Sequence, residues 1–344
     1  MATWTAGLTR AGPGLLLRDI LKGDAQVAAA VTVIAAAAPD VLLLTGFDHD
    51  LDGVALAAFA ERLGAAGLAY PHRFAPPGNR GLPSGADLDG NGRIGGPGDT
   101  QGWGRFAGAG GMAVLSRWPI GPGVRDFGGF LWRDLPGAED PGAVLDAGAL
   151  AVQRLHASGA WEVPVMLPGG AALRILAFHA TPPVFDGPED RNGRRNRDEA
   201  AFWLRLIAGD LAVPPPEPPF VLMGNANLDP EDGEGRRDAL RALLAHPALI
   251  DPAPASAGGA AAAAAQGGAN RRHRGDPARD TAHFRDDPGP GNLRVDYVLP
   301  SAGLAVAGSG VVWPLPDDPL AEAVAAASRH RLVWVDLVVP EGAP

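Results

Sequence analysis

No cysteine occurs in the 344 residues. That excludes disulfides and thiolate metal sites and leaves His, Asp, Glu and Asn as the side chains able to hold an ion. No apolar run is long enough to span a bilayer, since VTVIAAAAPDVLLL is interrupted by Pro39 and Asp40. The opening segment MATWTAGLTRAGPG has no basic stretch leading into an apolar one, so it does not read as a secretory signal. A cytoplasmic protein is expected, or a periplasmic or secreted one if a leader precedes Met1. Positive charge is not in excess either. With 29 Lys and Arg against 39 Asp and Glu, the formal net charge is −10. Non-specific adhesion to nucleic acid is therefore not expected, and any basic surface has to be local.

What is present is an ordinary soluble composition, 46% hydrophobic and 20% charged. The length allows one large or two ordinary domains. No internal repeat and no clean linker is visible, so a single domain over 1–344, acting as a monomer, is expected. A first strand is expected almost at Met1. Residues 14–38, rich in Ala, Leu and Val, read as one helix ending before Pro39. Val41 to Leu44 is a short apolar run of the buried-strand type, and residues 53–66 read as a second helix. Further strands are expected at Met112–Leu115, Leu173–Phe178, Phe220–Met223, Arg294–Leu299 and Leu332–Val339, with a helix over 196–209 carrying Ala201, Leu204 and Ile207 on one face. Strands buried on both faces and flanked by helices predict a layered α/β sandwich. Two stretches, about 75–111 and 252–292, are dense in Gly, Pro, Ala and Asp and read as long loops.

Polar residues sit at the ends of the apolar strands, where loops project from a rigid scaffold. The segments are Phe178-His179-Ala180-Thr181-Pro182-Pro183, Gly224-Asn225-Ala226-Asn227-Leu228-Asp229-Pro230, Arg294-Val295-Asp296-Tyr297-Val298-Leu299 and Ser328-Arg329-His330-Arg331. A further segment, GMAVLSRWPI from Gly111 to Ile120, is a strand followed by an SR-x-P turn. In this order the segments resemble the endonuclease/exonuclease/phosphatase superfamily, the deoxyribonuclease-I-like fold, over essentially the whole chain. The resemblance implies an α/β (α+β) four-layered sandwich of two packed mixed β-sheets flanked by helices. It also implies hydrolysis of phosphoester bonds with a divalent cation, Mg²⁺ or Mn²⁺. A hard cation neutralises phosphoryl charge, and a His oriented by a carboxylate activates water.

Carried onto this chain, the resemblance gives His179 contact with the phosphate and Asn227 its orientation. It gives Asp296 a place in the metal and proton network and makes His330 the general base. The expected substrate is phosphorylated: a nucleic acid, a nucleotide or a phospholipid headgroup. The departures concentrate on the metal. Thr5 stands where the superfamily has Asn, Gly46 where it has the metal-binding Glu, Asn225 for the Asp of Asp-x-Asn, and Arg329 for the Asp before the terminal His. Together these changes remove three negative charges and add one positive, which weakens a carboxylate site for Mg²⁺. Asp48, Asp50 and Asp229 lie nearby in sequence, and a rearranged metal shell would draw on Asp48, Asn225 and Asp296. Arg329 and Asn225 are alternative phosphate contacts, the former through its planar fork. A catalytically weak or inactive relative that still binds a phosphorylated ligand is the other expectation.

Asp87, Asp89, Asn91, Gly92 and Arg93, followed by Asp99, match the start of a calcium loop. Position twelve is Gly98 rather than Glu, and no helix pair flanks the loop. Similar loops followed by Gly-x-Gly-Arg-Phe occur in bacterial members of the superfamily, where Ca²⁺ would order the loop. The segment 190–199 carries Arg191, Arg194, Arg195 and Arg197, either a phosphate-receiving surface or a network tying the loop to neighbouring acids. Arg271, Arg272, His273 and Arg274 form a second cluster, with too few aromatics nearby for single-strand stacking.

Overall fold

Side chains alternate across a strand, so a strand buried throughout must face two cores. Val41–Phe47 shows this: Leu42 and Leu44 join a core shared with helices, while Val41 and Leu43 join a core between two sheets. The second sheet repeats the pattern, with Leu176 and Phe178 against helices and Ile175 and Ala177 against the first sheet. The computed structural model describes residues 1–338; Val339 and the rest of the expected last strand and domain, through residue 344, lie outside the described residues.

The strands in chain order are β1 (Ala2–Leu8), β2 (Val41–Phe47), β3 (His72–Phe74), β4 (Gly111–Ser116), β5 (Arg125–Asp126), β6 (Gly159–Met166) and β7 (Ala172–His179). They continue with β8 (Phe220–Asn225), β9 (Ala282–His283), β10 (Asn292–Leu293), β11 (Asp296–Pro300), β12 (Ala305–Val311) and β13 (Val333–Val338). One mixed sheet runs β12-β13-β1-β2-β4-β3 and the other β11-β8-β7-β6-β5, with β9 and β10 forming a small ribbon. The helices are α1 (Leu15–Lys22), α2 (Ala25–Ala37), α3 (Val54–Ala65), α4 (Ala147–Val152), α5 (Arg191–Ala208), α6 (Asp238–Leu244), α7 (Ala257–Gln266) and α8 (Ala321–Ala327). The first three and α8 cover the first sheet, whereas α4, α5 and α6 cover the second. This is the expected four-layered α/β sandwich.

Several boundaries differ from the sequence reading. The expected helix over 14–38 is two helices bent by 75°, because Gly23 takes a left-handed φ of 73° and Asp24 caps α2 through the backbone N–H groups of Gln26 and Val27. Among the described residues no single helix is long and apolar enough to cross a membrane. The Ala/Gly tract in the expected 252–292 loop folds as α7, capped by the Ser256 hydroxyl on the Gly259 N–H. The arginine segment opens α5 five residues before the expected start of that helix.

Candidate functional site

The two sheets meet where β1 packs against β8 and β11. Three polar residues lie in one row across the second sheet: His179 ends β7 and faces Asn225 at the end of β8, which in turn faces Asp296 at the start of β11. Thr5 and Thr45, cross-strand partners on β1 and β2, approach this row from the first sheet. The Thr5 hydroxyl donates to Asp296 Oδ1 at 3.0 Å, lies 2.7 Å from the Thr45 hydroxyl and accepts from Asn225 Nδ2 at 2.8 Å. Asn225 Oδ1 in turn accepts the Asn227 backbone N–H at 2.6 Å. Two of the positions that depart from the superfamily, Thr5 and Asn225, thus bond to each other, and Thr5 bonds to Asp296.

The other carboxylate oxygen is also occupied. Asp296 Oδ2 accepts the Thr281 hydroxyl at 3.1 Å and lies 2.8 Å from His330 Nδ1. An ionised carboxylate only accepts, so Nδ1 carries the proton and Nε2 is left as the basic nitrogen. His330 is held by its backbone: Trp4 Nε1 donates to its carbonyl at 3.1 Å, and its N–H donates to Ser328 Oγ at 3.0 Å. Asn227 takes a left-handed φ of 51° and donates Nδ2 to the Ala180 carbonyl at 2.8 Å, which ties the β8 loop to the β7 loop. His179 is buried, and its pKa is driven well below the usual imidazole range, first by burial and then by Arg80 and His330. It is a neutral ring, with its Nδ1 buried and unpartnered.

Whether these residues fit a divalent ion can be tested directly. Gly46 sits at a bulge between β2 and both its neighbours with φ 66°, and it brings no ligand. Asp48 is buried with Oδ1 accepting the Gly110 N–H at 2.8 Å and Oδ2 the Arg10 N–H at 2.7 Å; burial still raises its pKa. Asp50 accepts the Ala55 N–H at the start of α3. Asp229 accepts the backbone N–H groups of Glu231, Asp232 and Arg294. Asp48, Asn225 and Asp296, the expected rearranged shell, each answer hydrogen-bond donors of the protein. Among the described residues the group of three or more metal-ligating side chains lies elsewhere, at Asp87, Asp89 and Asp99. Gly46, Asn225 and Arg329 stand where the resemblance places acids, so the strand ends carry few of the carboxylates that a divalent ion takes.

Asp87, Asp89 and Asp99 bring carboxylate oxygens within 4.8 Å of one another, a cluster able to hold a metal. Asp87 receives the N–H groups of Gly90, Asn91 and Gly92, and Asp99 those of Leu88, Gly95 and Gly96. Asn91 Oδ1 accepts the Arg93 N–H, so Arg93 shapes the turn through its backbone.

The arginines of α5 contact carbonyls and acids of the protein. Arg195 is buried, donates to the carbonyls of Leu155, Gln101 and Arg154, and has its pKa lowered by burial to about 10. Arg194 donates to the carbonyls of Glu139 and Glu189. Arg197 pairs with Asp198 and Asp238. Arg329 fares differently: its carbonyl accepts the His283 N–H while its side chain is exposed.

Sequence reasoning missed the residues that set the loops. Thr281 also accepts the backbone N–H groups of Val295 and Asp296. Asn196 Nδ2 reaches the carbonyls of Thr181 and Ala226, and Glu199 accepts the N–H groups of Ala157 and Thr181. Burial raises the Glu199 pKa to about 7. The signal for these two was a run of charged and amide residues on the inner face of an otherwise amphipathic helix. Arg80, beside Asp48, was also missed.

The architecture is a layered α/β sandwich with a His–Asp pair at the strand ends. The chain belongs to the endonuclease/exonuclease/phosphatase family, whose model matches residues 12–330. That family generally depends on a divalent metal and acts on phosphorylated substrates. The structure is similar to an endonuclease/exonuclease/phosphatase from Beutenbergia cavernae, at 22% identity and a TM-score of 0.56 over 98% of this chain and 70% of that one. It is also similar to a family protein from Leptotrichia buccalis, at 14% identity and a TM-score of 0.52 over 98% of each chain. A family protein from Bacteroides thetaiotaomicron matches at 14% identity and a TM-score of 0.51, over 98% and 96% of the two chains. No curated protein matches.

Proposed function

We propose that this chain binds a phosphorylated ligand at the ends of β1, β7, β8 and β11 without the metal-dependent hydrolysis general to its family. One observation carries the reading. The donors that neutralise Asp296 are the hydroxyls of Thr5 and Thr281 and the Nδ1–H of His330. They satisfy both oxygens of Asp296 without a cation, and with Gly46, Asn225 and Arg329 in place of the superfamily's acids the strand ends offer a divalent ion few carboxylates. The ligand is a nucleic acid, a nucleotide or a phospholipid headgroup; fold alone does not choose.

Calorimetric titration with inorganic phosphate in EDTA, beside a turnover assay on bis(p-nitrophenyl) phosphate with Mg²⁺ or Mn²⁺, tests the reading. Binding that ignores EDTA and turnover no faster than the buffer control are expected. A second reading, phosphodiester hydrolysis with Mg²⁺ or Mn²⁺ and water activated by His330 Nε2, draws support from the 2.8 Å bond between His330 and Asp296. Metal-stimulated turnover abolished by His330→Ala would put that reading first.

Calcium belongs to the proposal as an ordering ion for the 87–99 loop, held by Asp87, Asp89 and Asp99 and taking no part in chemistry. Millimolar Ca²⁺ is expected to raise the melting temperature by a few degrees, and Asp89→Ala to remove that rise. An equal shift in both proteins would exclude these ligands.

A further inference from the structure

The sequence reading passed over Arg80, and its surroundings differ from those of the other arginines near the site. Arg195, Arg294 and Arg10 each donate to carboxylates or carbonyls through their terminal nitrogens. Arg80 makes one long side-chain hydrogen bond, Nε to the Trp103 carbonyl at 3.4 Å, and among the described residues its Nη atoms have no partner. Among the described residues no carboxylate forms an ion pair with it; Asp48, the acid whose charge it feels, is turned to the Gly110 and Arg10 amides.

Its position is fixed from both sides. Asn79 donates Nδ2 to the carbonyls of Gly128 and His156 and accepts from Arg154, all at 2.7 Å. The Arg80 backbone bridges to Gly102, and its carbonyl accepts the Gly108 N–H. The half-buried guanidinium lies over Gly110, where a Cβ would sit 3.1 Å from Arg80 Cζ and Nη1 and 3.2 Å from Thr9 Oγ1. That hydroxyl donates to the carbonyl of Gly46, the position from which the superfamily's metal-binding Glu is missing. On the other side is His179, 5% exposed, with its Nδ1 unpartnered. Among the described residues, a preorganised guanidinium with unpartnered Nη atoms and a buried neutral imidazole thus flank the region of Gly46.

We infer that Arg80 receives the phosphoryl oxygens at this site, a fixed guanidinium taking over the charge neutralisation that the family assigns to a divalent cation. The inference rests on the phosphate-binding reading and adds the residue that anchors the anion. Two parallel N–H groups suit two oxygens of a tetrahedral phosphoryl group. A guanidinium orients and neutralises the phosphate without generating hydroxide from water, which separates recognition from hydrolysis. Because the loop is already pinned, little ordering cost accompanies binding.

The test titrates the parent chain, Arg80→Met, Arg80→Lys and the remote surface variant Arg133→Met with inorganic phosphate in EDTA, with circular dichroism as the check on folding. Arg80→Met is expected to weaken binding by about 10- to 100-fold. Arg80→Lys should recover only part, since it restores charge without the fork. Arg133→Met should match the parent. Separate titrations with phenyl phosphate and diphenyl phosphate distinguish a monoester from a diester source, and loss on Arg80→Met in either supports the assignment. Unchanged phosphate binding by folded Arg80→Met overturns the role of Arg80 and leaves phosphate binding standing. A parent chain that binds no phosphate in EDTA overturns the function proposed above.

Discussion

A chain carrying Gly46→Glu, Asn225→Asp and Arg329→Asp together is expected to acquire Mg²⁺-stimulated phosphodiester hydrolysis at least about 100-fold above the parent. These substitutions restore the acids missing from the family pattern around an Asp296–His330 pair that is already aligned at 2.8 Å. The new carboxylate at 225 would face Asp296 across β8 and β11, where the two residues are register partners. The Thr5 hydroxyl now donates to Asp296 and accepts from Asn225, and it cannot donate to two acids at once. Two carboxylates would then share one donor, and a cation relieves the repulsion. The metal-free variant should therefore melt below the parent, and Mg²⁺ should restore it, while the parent's melting temperature ignores Mg²⁺.

Position 46 sets the limit of this rescue. A Cβ there has room, its nearest neighbours being 3.6 Å away, but the backbone φ of 66° costs a non-glycine residue about 1–2 kcal/mol. Differential scanning fluorimetry with and without Mg²⁺, followed by the bis(p-nitrophenyl) phosphate assay, reads both effects. A variant whose melting ignores Mg²⁺ would show that these positions do not assemble an ion site on this scaffold.

Stability is expected to fall as pH rises from about 4 to about 8, and Asp280→Asn to remove much of that fall. Asp280 is 6% exposed and lines a cavity of about 250 Å³ with Arg271 and His273. Burial first, then the charges of Asp229, Asp232 and Asp276, push its pKa from 3.8 up to about 8. The folded chain thus holds a proton that the unfolded chain releases, so unfolding becomes easier with each pH unit in that window. Above the folded pKa the full cost is present, on the order of a few kcal/mol at this buried site. The asparagine variant carries no charge to bury, so it should be the more stable protein at pH 8 and equal to the parent near pH 4. Urea unfolding across that range checks it. A parent stability that rises over the window, or an Asp280→Asn chain that keeps the full slope, would refute the assignment.

Most of the scaffold was legible because strand burial writes itself as apolar runs. Val41–Leu44, Leu173–Phe178 and Phe220–Met223 all lie within observed strands, since packing between two cores demands apolar residues on both faces. The errors fell where a local signal competed with the pattern. Gly23-Asp24 divides one apolar stretch into two helices, and a Ser256 cap turns an Ala/Gly loop into one.

The row of His179, Asn225, Asp296 and His330 was visible as an order of motifs, and so was the absence of carboxylates at 46, 225 and 329, because the identity of a residue is written in one dimension. What each remaining side chain does was decided only by tertiary structure. Asp48 and Asp229 read as ligands or turn residues, and they accept backbone amides; Arg194 and Arg195 read as a phosphate surface or a network, and they donate to carbonyls. Arg80 carried no motif and lies far in sequence from His179, Asn227, Asp296 and His330, yet among the described residues its terminal nitrogens have no partner. Sequence fixes which charges exist. Which of them are neutralised internally depends on the partners the chain brings within about 3 Å, and that proximity arises only on folding.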